Sequence, residues 1–123
     1  MAIQRTIFAI TACTALVLSG APAFAHPRVV SATPTVGGTV KTAPSEVTIR
    51  FNEKLEPAFS SVTIRDSTGK QVDKGDPQVD KADHRIIRVS LPPLAPGAYK
   101  VEWRAVAADT HKVMGDFTFR IGQ

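Results

Sequence analysis

The chain has 123 residues, a length that fits one small domain and leaves no room for two. Its 15 Lys and Arg outnumber its 11 Asp and Glu, and both signs are interspersed without a basic block, which excludes the usual footprint of a nucleic-acid-binding protein. The single cysteine excludes an intramolecular disulfide.

The first 25 residues have the pattern of a secretory signal peptide. A basic residue, Arg5, precedes an apolar run over residues 7–18, and Ala23-Phe24-Ala25 forms a small-x-small cleavage site. The run is too short for a retained membrane helix, and lipoprotein processing at Cys13 would cut inside it. We therefore expect cleavage after Ala25, export, and a mature domain over residues 26–123 with a formal charge of +3 once Arg5 is lost.

Period-two alternation of apolar residues recurs along the mature chain and predicts an all-β domain. The alternating apolar positions are Val47, Ile49 and Phe51, then Val62 and Ile64, then Ile87, Val89 and Leu91, then Tyr99, Val101, Trp103 and Ala105, and finally Phe117, Phe119 and Ile121. With a first strand over residues 28–32 and a weak one over residues 70–74, about seven strands result. This number predicts an immunoglobulin-like Greek-key β-sandwich or barrel.

The mature N-terminus would place a histidine and a free amine on one residue, His26. Its α-amine and its imidazole Nδ1 can bind one metal ion in a chelate ring, because an α-amine loses its proton near about pH 8. Pro27 has no amide N–H, so it cannot supply the deprotonated backbone nitrogen of the common amino-terminal copper motif. The remaining ligands must then come from elsewhere in the fold.

A second segment with ligand chemistry is Asp109-Thr110-His111. In extended backbone, residues two apart point the same way, so Asp109 and His111 can approach one metal ion together. Two imidazoles, an amine and a carboxylate favour Cu(II) over Cu(I), with zinc as the competing metal. Each half of the site has a simpler alternative when it is taken alone. Asp109 and His111 could form a solvated turn, and His26 could follow the cleavage site by chance.

Three segments of the mature chain resemble the CopC family of periplasmic copper-binding proteins. They are HPRVVSATP (residues 26–34), APSEVTIRFNEKLEPAF (residues 43–59) and GAYKVEWRAVAADTHKVMGDFTF (residues 97–119). The resemblance implies a Greek-key sandwich with one Cu(II) ion bound by His26, Asp109 and His111. Glu53 matches a family acidic residue near the site, where it is either a weak or indirect ligand or a plain surface carboxylate.

The resemblance also implies a role. We expect a periplasmic copper chaperone in copper resistance, homeostasis or uptake, monomeric and not an enzyme, that acts beside a CopD-like inner-membrane copper transporter. No Cu(I) site is expected, because residues 65–80 contain neither methionine nor histidine, and Arg50 stands where some members have a histidine. The alternative function is a copper-brace monooxygenase, since a terminal histidine and a second histidine also form that site.

Other potential ligands have simpler explanations. His84 falls in a predicted loop, where we expect it to be exposed to solvent. Met114 is expected to pack rather than coordinate. The aspartates of residues 73–83 lack the regular loop and bidentate glutamate of a calcium site.

Overall fold

The computed structural model describes residues 26–123 together with Ala15. Apart from Ala15, the predicted signal peptide lies outside the described residues, so its cleavage stays a prediction. In the described part of the chain no helix has the length and apolar character needed to cross a membrane.

Two four-stranded sheets form the domain. The strands are β1 (Val29–Thr33), β2 (Thr39–Val40), β3 (Glu46–Phe51), β4 (Ser61–Arg65), β5 (Gln78–Val79), β6 (Ile86–Ser90), β7 (Gly97–Val106) and β8 (Lys112–Ile121). The first sheet has the order β1-β3-β6-β5 and the second has the order β2-β8-β7-β4. Only β2 and β8 pair in parallel among these neighbours. The predicted all-β sandwich is confirmed, with eight strands in the described residues where about seven are expected.

The core lies between the sheets and uses the alternating residues. Burial on β3 and β4 changes with each residue, and the buried side chains are those of the predicted apolar face. Phe51, Ile49 and Phe119 are at most 1% exposed. Because side chains alternate across a strand, this one pattern sets both the core and the outer polar faces.

One weak strand of the predicted set is absent from its expected place. Residues 70–74 form no ladder; they make an isolated bridge between Arg65 and Gln71 and single backbone hydrogen bonds, such as that from the Val72 amide to the Ile64 carbonyl at 2.9 Å. The side chain of Asp73 accepts hydrogen bonds from the amides of Ile64 and Gly75, at 2.8 and 2.7 Å, and so replaces a backbone acceptor for the Ile64 amide. The unpredicted strands β2 and β5 have two residues each, which is too short for alternation to be visible.

Aromatic side chains from the two sheets pack against each other near one end of the sandwich. Phe51, at the end of β3, meets Trp103 of β7 edge to face, with ring centroids 5.1 Å apart. Gly115 of β8 pairs with Trp103, and a Cβ at this glycine would overlap the indole ring. Trp103 therefore packs against the core, as its alternation predicts. At this end Asn52 directly follows Phe51.

Candidate metal centre

A tight loop, residues 107–111, joins β7 to β8. The amide of Ala107 donates to the carbonyl of His111 at 3.2 Å, and the amide of Thr110 donates to the carbonyl of Ala107 at 2.9 Å. Thr110 has a φ of 68°, in the left-handed region. This is the pattern of a three-residue hairpin loop whose last residue is left-handed, a position that usually holds glycine. A β-branched residue there is strained, and it lies between two candidate ligands.

We expect Thr110→Gly to raise the free energy of unfolding by about 0.5–1 kcal/mol in the metal-free protein. The left-handed conformation costs a non-glycine residue about 1–2 kcal/mol, and the entropy cost of glycine cancels part of that gain. Urea unfolding would measure the change. Thr118→Gly, in the middle of β8, is the matched control and should destabilise. Equal destabilisation by both variants would contradict strain at Thr110.

The loop pairs Asp109 with His111. Asp109 Oδ2 lies 3.0 Å from His111 Nδ1, and Asp109 Oδ1 accepts the His111 amide at 3.1 Å. These hydrogen bonds, first from the side chain and then from the backbone of His111, lower the pKa of Asp109 below its ordinary value. When Nδ1 carries the proton, the pairing fixes the tautomer and the orientation of the His111 ring, as carboxylate–histidine pairs do in metal sites.

His26 reaches the same end of the sandwich from the other sheet. It lies three residues before β1, and its ring centroid is 5.5 Å from that of His111, with the rings inclined at 66°. Asn52 holds the segment between His26 and β1: its Oδ1 accepts the Arg28 amide at 2.7 Å and its Nδ2 donates to the His26 carbonyl at 3.4 Å. Pro27 is buried. The two histidines thus bridge the two sheets.

The predicted ligands are adjacent but do not yet form a closed set. Within residues 26–123, no group of three or more His, Cys, Asp or Glu side chains converges well enough to hold a metal ion. His26 and His111 are close in space and Asp109 is bonded to His111. Glu53 is half-buried just beyond the end of β3, and His84 is exposed as expected.

The donor groups that are present, imidazole and carboxylate, are of the types that bind copper(II). A metal–imidazole bond measures about 2.0 Å, so two rings on one ion have centroids within about 6 Å of each other, and the observed separation satisfies this limit. Imidazole and carboxylate ligands in a tetragonal arrangement favour Cu(II). Both Asp109 and His111 keep about two-fifths of their side-chain surface exposed, so an ion can reach them from solvent.

Comparison with known proteins identifies the family. A model of the CopC domain matches residues 29–122. The chain belongs to the CopC family. It is 33% identical over 127 residues to copper resistance protein C of Pseudomonas syringae pv. tomato, covering 98% of this chain and 99% of that protein. The crystal structure of CopC from Methylosinus trichosporium OB3b has a TM-score of 0.70 and 36% identity, covering 79% of this chain and 94% of that one.

A longer relative matches most of this chain with part of its own length. Copper transport protein CutJ of Bacillus subtilis is 38% identical over 101 residues, which cover 81% of this chain. The chain spans only 19% of the length of that relative. The CopC match includes Asp109 and His111 and begins three residues after His26.

A search of the sequence for metal ligands does not find two residues that shape the candidate site, Asn52 and Thr110. Asn52 directly follows β3 and is not a candidate ligand, yet its side chain makes hydrogen bonds to the segment that carries His26. Thr110 reads as a spacer between two ligands, yet it has the left-handed backbone of the loop. A polar residue directly after a buried strand end is the one available hint for Asn52.

Proposed function

We propose that this CopC-family protein is a periplasmic Cu(II)-binding protein that serves copper resistance, homeostasis or uptake. The observation that carries the proposal is the approach of His26 and His111, which come from different sheets and have ring centroids 5.5 Å apart. Two imidazoles from separate segments of the chain lie within the separation that two ligands of one metal ion have. The relatives named copper resistance protein C and copper transport protein agree with this function.

The ligands of one Cu(II) ion are the α-amine and imidazole of His26, the imidazole of His111 and the carboxylate of Asp109. Cleavage after Ala25 frees the amine, so export and assembly of the site are coupled. Asp109 binds the ion directly and gives up its contact with His111 Nδ1. Its lowered pKa keeps the carboxylate anionic, so it reduces the net positive charge of the complex with Cu(II).

A separate Cu(I) site is not part of the proposal. Cu(I) prefers soft sulfur ligands, and Met114 is the one methionine of the mature sequence. It is 68% exposed and pairs with Arg104 across β7 and β8, so the prediction that it packs is wrong. Arg50 forms an ion pair with Asp83 at 3.2 Å, so this position binds an aspartate rather than a metal.

Binding and delivery of copper explain the donor set better than oxygen activation. Asp109 lies next to His111, where it would compete for the equatorial position that a copper-brace enzyme leaves to oxygen. Turnover of peroxide with ascorbate by the copper-loaded protein separates the two functions. We expect no substrate oxidation above that of free copper. We further propose that the protein is monomeric and exchanges copper with a CopD-like inner-membrane transporter.

Binding should weaken as the pH falls. Imidazoles and an α-amine bind a metal only after they have lost their protons, so protons compete with Cu(II) for three ligand groups. Because the pKa of Asp109 is lowered, this carboxylate stays ionised between pH 7 and 5 and adds nothing to the loss in that interval. Competition with a Cu(II) chelator should give affinities that fall as the pH is lowered, towards a limit of about three decades per pH unit when all three groups bind protons. Affinity that is constant from pH 8 to 5 would exclude this ligand set.

Copper uptake by the mature protein tests the function itself. Protein that begins at His26 is incubated with excess Cu(II), dialysed, and assayed for bound metal. We expect one copper per chain, and zinc at the same concentration should not displace it, because Cu(II) exceeds Zn(II) in the divalent affinity order. If the protein retains no copper, the proposed function is wrong, and the β-sandwich would instead bind another kind of partner.

A further inference from the structure

The side chain of Asn52 makes hydrogen bonds to the terminal segment that carries His26. We propose that Asn52 is a positioning residue for the copper site, which keeps the mature N-terminus preorganised opposite His111. This inference rests on the proposed Cu(II) site and extends it to a residue that contacts the terminal backbone rather than the ion.

Three hydrogen bonds join Asn52 to the terminal segment. Its side chain accepts the Arg28 amide at 2.7 Å and donates to the His26 carbonyl at 3.4 Å. Its backbone amide donates to the Arg28 carbonyl at 3.1 Å. We call this set of contacts the Asn52 clamp. It continues the pairing of β1 with β3 beyond the last ladder pair, Val29 with Phe51.

The clamp is fixed at its base. Phe51 is 1% exposed, packs on Trp103, and donates its amide to the Arg85 carbonyl at 2.8 Å. Asn52 follows Phe51 directly, so its backbone has little freedom to move. A chain terminus is otherwise among the least ordered parts of a domain. The Asn52 clamp therefore ties residues 26–28 to the well-ordered end of β3, so that this terminal segment is ordered as well.

An asparagine suits this task because it offers an acceptor and a donor on one short side chain. Pro27 has no amide N–H, so the acceptor can serve Arg28 while the donor reaches the carbonyl of His26. The contact with the carbonyl leaves the amine and the imidazole of His26 for metal. Binding then requires less ordering of the terminus, which is the general advantage of preorganisation.

Asn52→Ala tests the inference. It removes both side-chain hydrogen bonds and keeps the backbone bond, and two such bonds together correspond to about a tenfold change in affinity. We expect Cu(II) affinity to fall about tenfold, with the electron paramagnetic resonance spectrum at saturating metal unchanged because the ligands are the same. Thr48→Ala, on the outer face of β3, is the control and should leave affinity unchanged.

A metal-free measurement separates this inference from the proposed function. In the apo protein, hydrogen exchange of the Arg28 amide should accelerate about tenfold in Asn52→Ala. It should stay slow in Asn52→Asp, which keeps the acceptor for that amide. Copper affinity equal to that of the unmutated protein, or an altered spectrum at saturation, would overturn the positioning role while leaving the copper site in place. Failure of the unmutated protein to bind copper would instead overturn the proposed function.

If Asn52→Ala does not fold, hydrogen exchange of the Arg28 amide in Asn52→Asp is the test. Slow exchange supports the clamp, and exchange as fast as that of an unstructured chain overturns it.

Discussion

Adding one residue before His26 is expected to weaken Cu(II) binding at least about a hundredfold. The addition turns the α-amine into an amide, which is neither basic nor free to chelate with the imidazole. Structural zinc sites with four ligands hold about 10–16 kcal/mol, so one ligand of four corresponds to about 3 kcal/mol and about two orders of magnitude. The variant that retains Ala25 makes the smallest such change. Competition titration against a chelator of known affinity measures the loss.

The control for this experiment carries the same alanine after Gln123, where it changes length and mass but leaves the terminus at His26. Its affinity should equal that of the mature protein. A retained Ala25 that leaves affinity within about threefold would show that the amine is not a ligand. The site would then reduce to the imidazoles and Asp109, and the proposed link between export and site assembly would be lost.

His111→Ala is expected to abolish most copper-induced stabilisation. A ligand that binds only the folded state at 100 times its Kd stabilises by about 2.7 kcal/mol, and in a domain of this size that raises Tm by about 10 °C or more. Because His26 precedes β1 and His111 precedes β8, a shared ion links the two sheets and should resist their separation. Removing His111 leaves only Asp109 to hold the ion on the second sheet, so the rise in Tm should shrink to a few degrees.

Thermal scans with and without one equivalent of Cu(II) give this result directly. His84→Ala is the matched control, since His84 is an exposed histidine distant from both candidate ligand segments in sequence. It should retain the full rise in Tm. A full rise in His111→Ala, or a loss of the rise in His84→Ala, would contradict the assignment of ligands.

Alternation predicts the long strands because each has a buried and an exposed face. Ile49 and Arg50 illustrate this: the first is fully buried and the second pairs with Asp83 on the outside. The same reasoning fails for strands of two residues, which have no period, and for residues 70–74, where the Asp73 side chain replaces a backbone partner. Polar side chains that substitute for ladder bonds leave no trace in hydropathy.

The candidate ligands are predictable from their chemistry, but the means by which the fold positions them are not. His26, Asp109 and His111 stand out as donors in the sequence, and the structure brings the two histidines together. The left-handed Thr110 depends on the geometry of a hairpin loop, where the sequence offers no glycine as a signal. The Asn52 clamp depends on contacts 24 and 26 residues away along the chain, which no local pattern contains.

Electron paramagnetic resonance of one equivalent of Cu(II) on protein that begins at His26 is the most direct test of the central claim. The proposed ligands predict an axial spectrum from a tetragonal ion with three nitrogen donors, two of them imidazoles, and one oxygen donor. Labelling histidine with ¹⁵N should change the hyperfine pattern, and His111→Ala should remove one imidazole from it. A spectrum of hydrated copper, or one with no imidazole nitrogen, would contradict a metal site shared between His26 and His111.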